Sequence, residues 1–146
     1  MIWFLRHGDA EDEAADDASR RLTPKGERQA RNAGAALAAL GVQIGACLTS
    51  PKVRALDTAH IACKPLGVEP EATEALRGGD FDALELAADR GDVLLVGHEP
   101  DFSRAVNALT GSRIELKKGG LAAVEDGALT SLLRVPQIRL IAKGGS

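Results

Sequence analysis

Tyrosine is missing from this chain, and three phenylalanines and one tryptophan supply all of its aromatic rings. A core built with so few rings has to come mainly from Ala, Leu and Val. Cysteine is scarce too: Cys47 and Cys63 are too few, and wrongly spaced, for a disulfide framework or a zinc knuckle, so both read as reduced thiols. No apolar run reaches the length of a membrane span. The N-terminus lacks the basic region and long apolar core of a signal peptide, so a cytoplasmic location is expected. Positive charge is not in excess: 18 Lys and Arg against 21 Asp and Glu leave a net charge of −3. That balance argues against nucleic-acid binding through a general basic surface, but leaves room for a local cationic pocket. With no internal repeat, no low-complexity linker and no domain break, the 146 residues read as one domain, 1-146. That is long enough for a proper core without staples or metal.

What is present is organised around the first nine residues, Met1 to Asp9. The apolar run Met1-Ile2-Trp3-Phe4-Leu5 reads as a strand buried on both faces. It ends in Arg6-His7-Gly8, a cation and an imidazole at a strand's carboxyl end, where open α/β sheets bind ligands. Gly8 lets another group approach closely. An acidic stretch, Asp9 to Asp17, follows and reads as a solvated loop.

Thr23-Pro24 signals a helix start, with Thr as N-cap and Pro at the first helical position. Ala30, Ala33, Leu37 and Leu40 keep helical spacing up to Gly41. Ile44 to Leu48 is a second strand. Ser50-Pro51 then repeats the cap-and-proline signal for a helix running towards Lys64-Pro65, which puts Arg54 in about its first turn. A short strand is expected within Val68–Leu76, and a helix over Phe81–Ala88 with Leu84, Leu86 and Ala87 facing the core. Asp92 to Val96 is the clearest strand. Gly97-His98-Glu99-Pro100 follows it, then a helix from Asp101 to Leu109. Leu121–Val124 and Leu129–Val135 flank a glycine turn and predict an antiparallel hairpin. Pro136–Ile141 reads as an edge strand or a tail.

Strands alternating with helices imply a three-layer α/β/α fold, a mostly parallel sheet with helices on both faces and a C-terminal antiparallel hairpin. One edge of that sheet then receives Arg6 and His7, Ser50 and Arg54, and His98. Helix N-termini and arginine forks suit a tetrahedral dianion such as phosphate. No carboxylate cluster accompanies them, so no metal is expected. His60, in mid-helix, reads as structural or solvated.

These motifs resemble the histidine phosphatase superfamily, whose members include the phosphoglycerate mutases. The order Arg6-His7-Gly8-Asp9-Ala10, Arg21-Leu22-Thr23-Pro24, Ser50-Pro51 to Arg54-Ala55, Thr58-Ala59 and Gly97-His98-Glu99-Pro100 is similar to the small SixA-type phosphohistidine phosphatases. The resemblance implies that His7 attacks phosphorus and becomes phosphorylated. It also implies that Arg6, Arg54 and His98 hold the phosphoryl oxygens, with Gly8 and Ser50 at the binding site. No cofactor is implied. Chemically the set is adequate, because phosphoryl transfer needs mainly positioning and charge stabilisation. Nearby cations should keep His7 neutral.

A general acid is not evident: Glu74, Asp80, Asp82 and Asp9 are weak candidates. That favours a phosphoramidate, whose leaving imidazole can already carry a proton. The expected partner is a phosphohistidine-bearing protein, such as a phosphotransfer domain or carrier protein, acted on by a chain for which a monomer is reasonable. A phosphatase or mutase for a small phosphorylated metabolite is the alternative, and a non-catalytic phosphate-binding module is a third reading.

Overall fold

The computed structural model describes residues 1–144. Four parallel strands form the middle and one side of a single sheet: β1 (Ile2–Arg6), β2 (Ala46–Thr49), β3 (Pro70–Ala72) and β4 (Val93–Gly97). An antiparallel hairpin of β5 (Leu121–Glu125) and β6 (Ala128–Leu133) extends it beyond β1, giving the order β3-β2-β4-β1-β5-β6. β4 therefore lies between β1 and β2 and pairs with both, Leu94 facing Trp3 on one side and Cys47 on the other. The hairpin turn uses Asp126 and Gly127, both at positive φ, as the tight turn between twisted strands requires.

Alternation along the strands divides the core in two. Trp3, Leu5, Cys47, Leu94 and Val96 face one side. There they meet α1 (Pro24–Ala39), α2 (Val53–Cys63) and α5 (Val135–Gly144). Ile2, Phe4, Leu48, Val93 and Leu95 face the other, against Phe102 and Val106 of α4 (Asp101–Thr110) and Ala83 of α3 (Ala83–Ala87). Covered on both faces, β4 is buried throughout. The scarcity of rings is met by small residues: Ala30, Ala33, Ala55, Ala59 and Ala62 are fully buried. At Gly34 of α1 an added Cβ would come within 2.2 Å of the Ala62 carbonyl of α2, so the two helices pack almost backbone to backbone.

Several boundaries differ from the sequence expectation, and each difference has a local cause. Pro136–Ile141 is neither an edge strand nor a tail. It is part of α5, whose Ile138, Ile141 and Ala142 keep helical spacing against the first core cluster. Pro136 sits in the first turn, where a missing N–H costs nothing, and Gln137 Oε1 accepts from Arg134 N–H at 2.9 Å. α2 begins at Val53 rather than after Ser50, because Ser50 is engaged elsewhere. α3 is only five residues long, with Asp82 capping it, and Leu84 points outward, 63% exposed. The segment Val68–Leu76 holds the three-residue β3 and then a 3-10 turn at Glu74–Leu76.

Candidate active site

Three strand ends are laced together at the carboxyl edge of the sheet. His7 N–H donates to the Gly97 carbonyl at 3.0 Å, and Ser50 N–H donates to the Val96 carbonyl at 3.0 Å. Residues distant in sequence are thus fixed side by side: His7 after β1, Ser50 after β2, His98 after β4. The two imidazoles lie 5.3 Å apart between ring centroids, tilted by 56°. Both are buried, as are Ser50 and Arg54.

The loop after β1 is shaped by a close backbone approach. A Cβ on Gly8 would sit 2.5 Å from the Gly26 carbonyl, and one on Gly26 would sit 2.0 Å from the Asp9 carbonyl. Only glycine fits at either position. Gly8 N–H donates to Thr58 Oγ1 at 3.1 Å, and that hydroxyl donates to the Arg54 carbonyl at 2.7 Å. The arginine's helix is thereby tied to the histidine's loop. The backbone of Gly8 is committed within the protein: its N–H to Thr58, its carbonyl to His7.

That carbonyl settles the tautomer of His7. Nδ1 lies 2.7 Å from Gly8 O. A carbonyl only accepts, so Nδ1 carries the proton and Nε2 keeps its lone pair. Burial lowers the His7 pKa to about 4; the Gly8 contact opposes this, and Arg54, Arg6 and Lys118 add to it. Burial thus outweighs the cations that sequence reasoning had put first. At neutral pH the ring is neutral and nucleophilic at Nε2.

His98 is held the other way round. Its Nε2 is 2.8 Å from Ser50 Oγ, which also accepts from Lys52 N–H at 3.2 Å. A hydroxyl both donates and accepts, so either tautomer of His98 satisfies this contact; where Ser50 donates, the ring proton lies on Nδ1. Burial first, then His7, Arg54 and Lys52, lower the His98 pKa to about 3. A bound dianion would oppose that shift and make His98 a stronger donor.

The arginines are anchored by backbone carbonyls. Arg6 Nη1 donates to Leu116 O at 3.0 Å, and Arg54 Nη1 to Asp17 O at 2.8 Å. Four buried side-chain polar atoms lack a partner among the described residues, and three of them are Arg6 Nε, Arg54 Nε and His98 Nδ1. Unpaired buried donors are costly, and both arginines lie close enough to His7 to act on its charge, so this edge of the sheet suits an anion. Among the described residues, no three His, Cys, Asp or Glu side chains group as a metal shell. The surface groove of roughly 390 Å³ lined by Met1, Ile2, Leu84 and Gly91 lies at the amino ends of the strands, away from His7 and His98.

The other sequence candidates lie apart from this chemistry. Glu74 is exposed and paired with Arg77 at 2.6 Å, which keeps it ionised below the usual range. Asp80 is exposed, and Asp82 accepts from Glu85 N–H as the cap of α3. Asp9 borders the site, but it accepts from Thr23 Oγ1 at 2.8 Å and faces Lys118, and the Thr23 bond foremost lowers its pKa. Neither Asp9 nor Glu74 is prepared to release a proton. His60 is exposed on α2.

Sequence reasoning missed Asp17, which it left in a solvated loop. That loop is closed at its base by an Ala10–Leu22 bridge, and Asp17 turns back onto Arg54 and Lys52. The return of positive charge at Arg20 and Arg21 was the available signal. Thr58, one turn after Arg54, was quoted with the motifs but given no role, and Lys118 was missed.

Relatives fit this geometry. An uncharacterised protein of Picosynechococcus is 40% identical, over 87% of this chain and 86% of its own length. The protein histidine phosphatase SixA, solved with tungstate, superposes with a TM-score of 0.80 at 23% identity, covering 92% of this chain and 97% of that one. A phosphoserine phosphatase from Entamoeba histolytica, solved with 3-phosphoglyceric acid, superposes at 0.67 with 16% identity, covering 94% and 98%. The family model of the histidine phosphatase superfamily, branch 1, matches residues 2–91, and the chain belongs to that superfamily.

Proposed function

We propose that the protein is a phosphohistidine phosphatase that acts on a protein substrate through a phosphorylated His7. One observation carries the reading: the bond from His7 Nδ1–H to Gly8 O leaves a neutral Nε2 lone pair free at a sheet edge shared with Arg6, Arg54 and His98, each with a buried polar atom that has no partner among the described residues. In the first step His7 Nε2 attacks phosphorus. The bond from phosphorus to the substrate imidazole breaks, and its electron pair leaves with that imidazole. In the second step water attacks the phosphorylated His7, releasing inorganic phosphate and a proton and restoring the ring. Arg6, Arg54 and His98 hold the phosphoryl oxygens through both steps, and Ser50 acts through His98.

Substrate choice follows from the missing acid. An alkoxide leaves poorly unless protonated, and a positioned acid is typically worth about 10²–10⁴ in rate. Asp9 and Glu74 are both held ionised, so this factor is lost on alkyl phosphates and largely spared on phosphoramidates. The likeness of SixA, a protein histidine phosphatase, supports the same substrate class. The likeness in fold to a phosphoserine phosphatase favours a second reading, a small phosphorylated metabolite. The test compares kcat/KM on a phosphohistidine carrier protein, an aryl phosphate and an alkyl phosphate at one pH, with excess EDTA present. Rates should fall in that order. Equal rates would reject the phosphohistidine preference, and loss of activity restored by magnesium would reject the metal-free mechanism.

A further inference from the structure

Asp17 has no role in the phosphatase reading above, yet it is bonded to one of its arginines. A guanidinium offers three edges. On Arg54 the edge between the two terminal nitrogens is taken by one residue: Nη1 donates to Asp17 O at 2.8 Å, and Nη2 to Asp17 Oδ2 at 3.2 Å. Asp17 is itself held from several sides. Lys52 Nζ and Arg20 Nη1 each reach its carboxylate at 3.2 Å. It opens a 3-10 turn, Asp17–Ser19, that Asp16 caps through Ser19 N–H at 3.0 Å. The edge left over joins Nε to the second hydrogen of Nη2, and Nε is buried without a partner among the described residues. That edge presents two parallel N–H groups, the fork that matches two phosphoryl oxygens.

We propose that Asp17 is a positioning residue that selects which edge of Arg54 meets the phosphoryl group. The inference rests on the phosphatase reading and assigns a function to the acidic loop. A carboxylate so close to a dianion would ordinarily repel it. Here Lys52, Arg20 and Arg54 surround the charge, and the side chain is 57% exposed, so water screens what remains. Without the Asp17 carboxylate the Arg54 fork would keep its charge and its bond to the Asp17 backbone carbonyl, and lose the Nη2 contact that fixes its rotation about that bond.

The test reads binding rather than turnover. Inorganic phosphate is titrated into wild type, Asp17→Ala and Asp17→Asn, following arginine Nε–H signals by NMR, with the Arg54 signal assigned from Arg54→Lys. Thermal midpoints are measured alongside. Phosphate affinity should fall about 10-fold in Asp17→Ala, the scale of one hydrogen bond between charged groups. It should stay within about 3-fold of wild type in Asp17→Asn, whose amide oxygen still accepts from Nη2. The Arg54 Nε–H signal should shift on phosphate addition in wild type and broaden in Asp17→Ala. Midpoints should stay within about 2 °C, because the residue is exposed. Equal or tighter phosphate binding by Asp17→Ala would overturn the inference and show the carboxylate to be a competitor for Arg54. Asn as poor as Ala would overturn it in favour of charge alone, and matched losses of midpoint would overturn it in favour of plain structural damage. If wild type bound no phosphate, the phosphatase reading would fall with it; wild-type binding unchanged in Asp17→Ala removes only this inference.

Discussion

The carboxyl ends of β1 and β4 carry the same side chain in neighbouring positions, yet they prepare it for opposite tasks. His7 is tied at Nδ1 by a carbonyl, which can only accept, and so it exposes a lone pair. His98 is tied at Nε2 by a serine hydroxyl, which can donate as well as accept, and with Ser50 donating it exposes a proton at Nδ1. Burial keeps both rings neutral. In the proposed mechanism position on the sheet brings each ring to the phosphoryl group, and the identity of one hydrogen-bonding partner fits one ring to attack and the other to donate.

Breaking the attacking side should have the largest effect. His7→Ala is expected to lower turnover by at least about 10⁴-fold, the scale seen when a nucleophile is removed. The fold should survive, because a strand-end residue adds little to the core. Acid-quenched wild type should carry the phosphoryl label on His7, and finding it on His98 would invert the comparison. Breaking the donating side should cost less: His98→Ala is expected to lower kcat about 10²–10³-fold, as for one oxyanion donor, with no change in the labelled residue.

Acid sharpens the comparison without a mutation at the nucleophile. Both histidines titrate in the folded protein far below the unfolded value of about 6.5, at about 4 and about 3. Between those values the unfolded chain binds more protons than the folded one. Stability is therefore unaffected by these groups above about pH 7 and falls as pH drops from about 6.5 towards 4. The loss at pH 5 should be about 1–2 kcal/mol per histidine, read from urea midpoints at pH 7 and pH 5. His98→Asn should make the slope shallower; an unchanged slope would place the titrating groups elsewhere. The smallest effect is expected from Ser50→Ala, which leaves His98 in place and frees its tautomer. A loss in kcat of about 3–10-fold is predicted, the worth of one hydrogen bond. A loss as large as that of His98→Ala would mean that Ser50 meets the phosphoryl group directly.

Much of this was legible in the sequence, for a physical reason. Buried parallel strands read as unbroken apolar runs, and the polar residue after each run marks the functional edge. Arg6-His7, Thr49-Ser50 and Gly97-His98 were placed by that signal alone. The C-terminal helix was not, because Pro136 so soon after a hairpin suggested an edge strand, although Ile138, Ile141 and Ala142 held helical spacing. Asp17 escaped because an acidic, alanine-rich stretch has no periodicity. Its meaning depends on a loop closed by the Ala10–Leu22 bridge and on Arg54, which lies on a different element. Ser50 looked like a helix cap, and its hydroxyl, besides accepting from Lys52 N–H, meets a histidine from another strand.

The place of β4 in the sheet has a consequence for synthesis. When β1, α1, β2 and α2 have left the ribosome, the chain already holds His7, Ser50, Arg54 and Asp17. The two strands carrying them cannot lie side by side in the native sheet, since the strand between them has yet to be made. Pairing Ile2 with Val93 closes a loop of most of the chain length, a slow step in forming any sheet. The serine clamp and the second imidazole therefore come into register with His7 only when β4 inserts. A nascent or truncated chain that stops before β4 holds the partners of the His7–Gly8, Gly8–Thr58 and Arg54–Asp17 bonds. It lacks His98 and the Gly97 and Val96 carbonyls that align β1 with β2, so a complete site reports that β4 is in place.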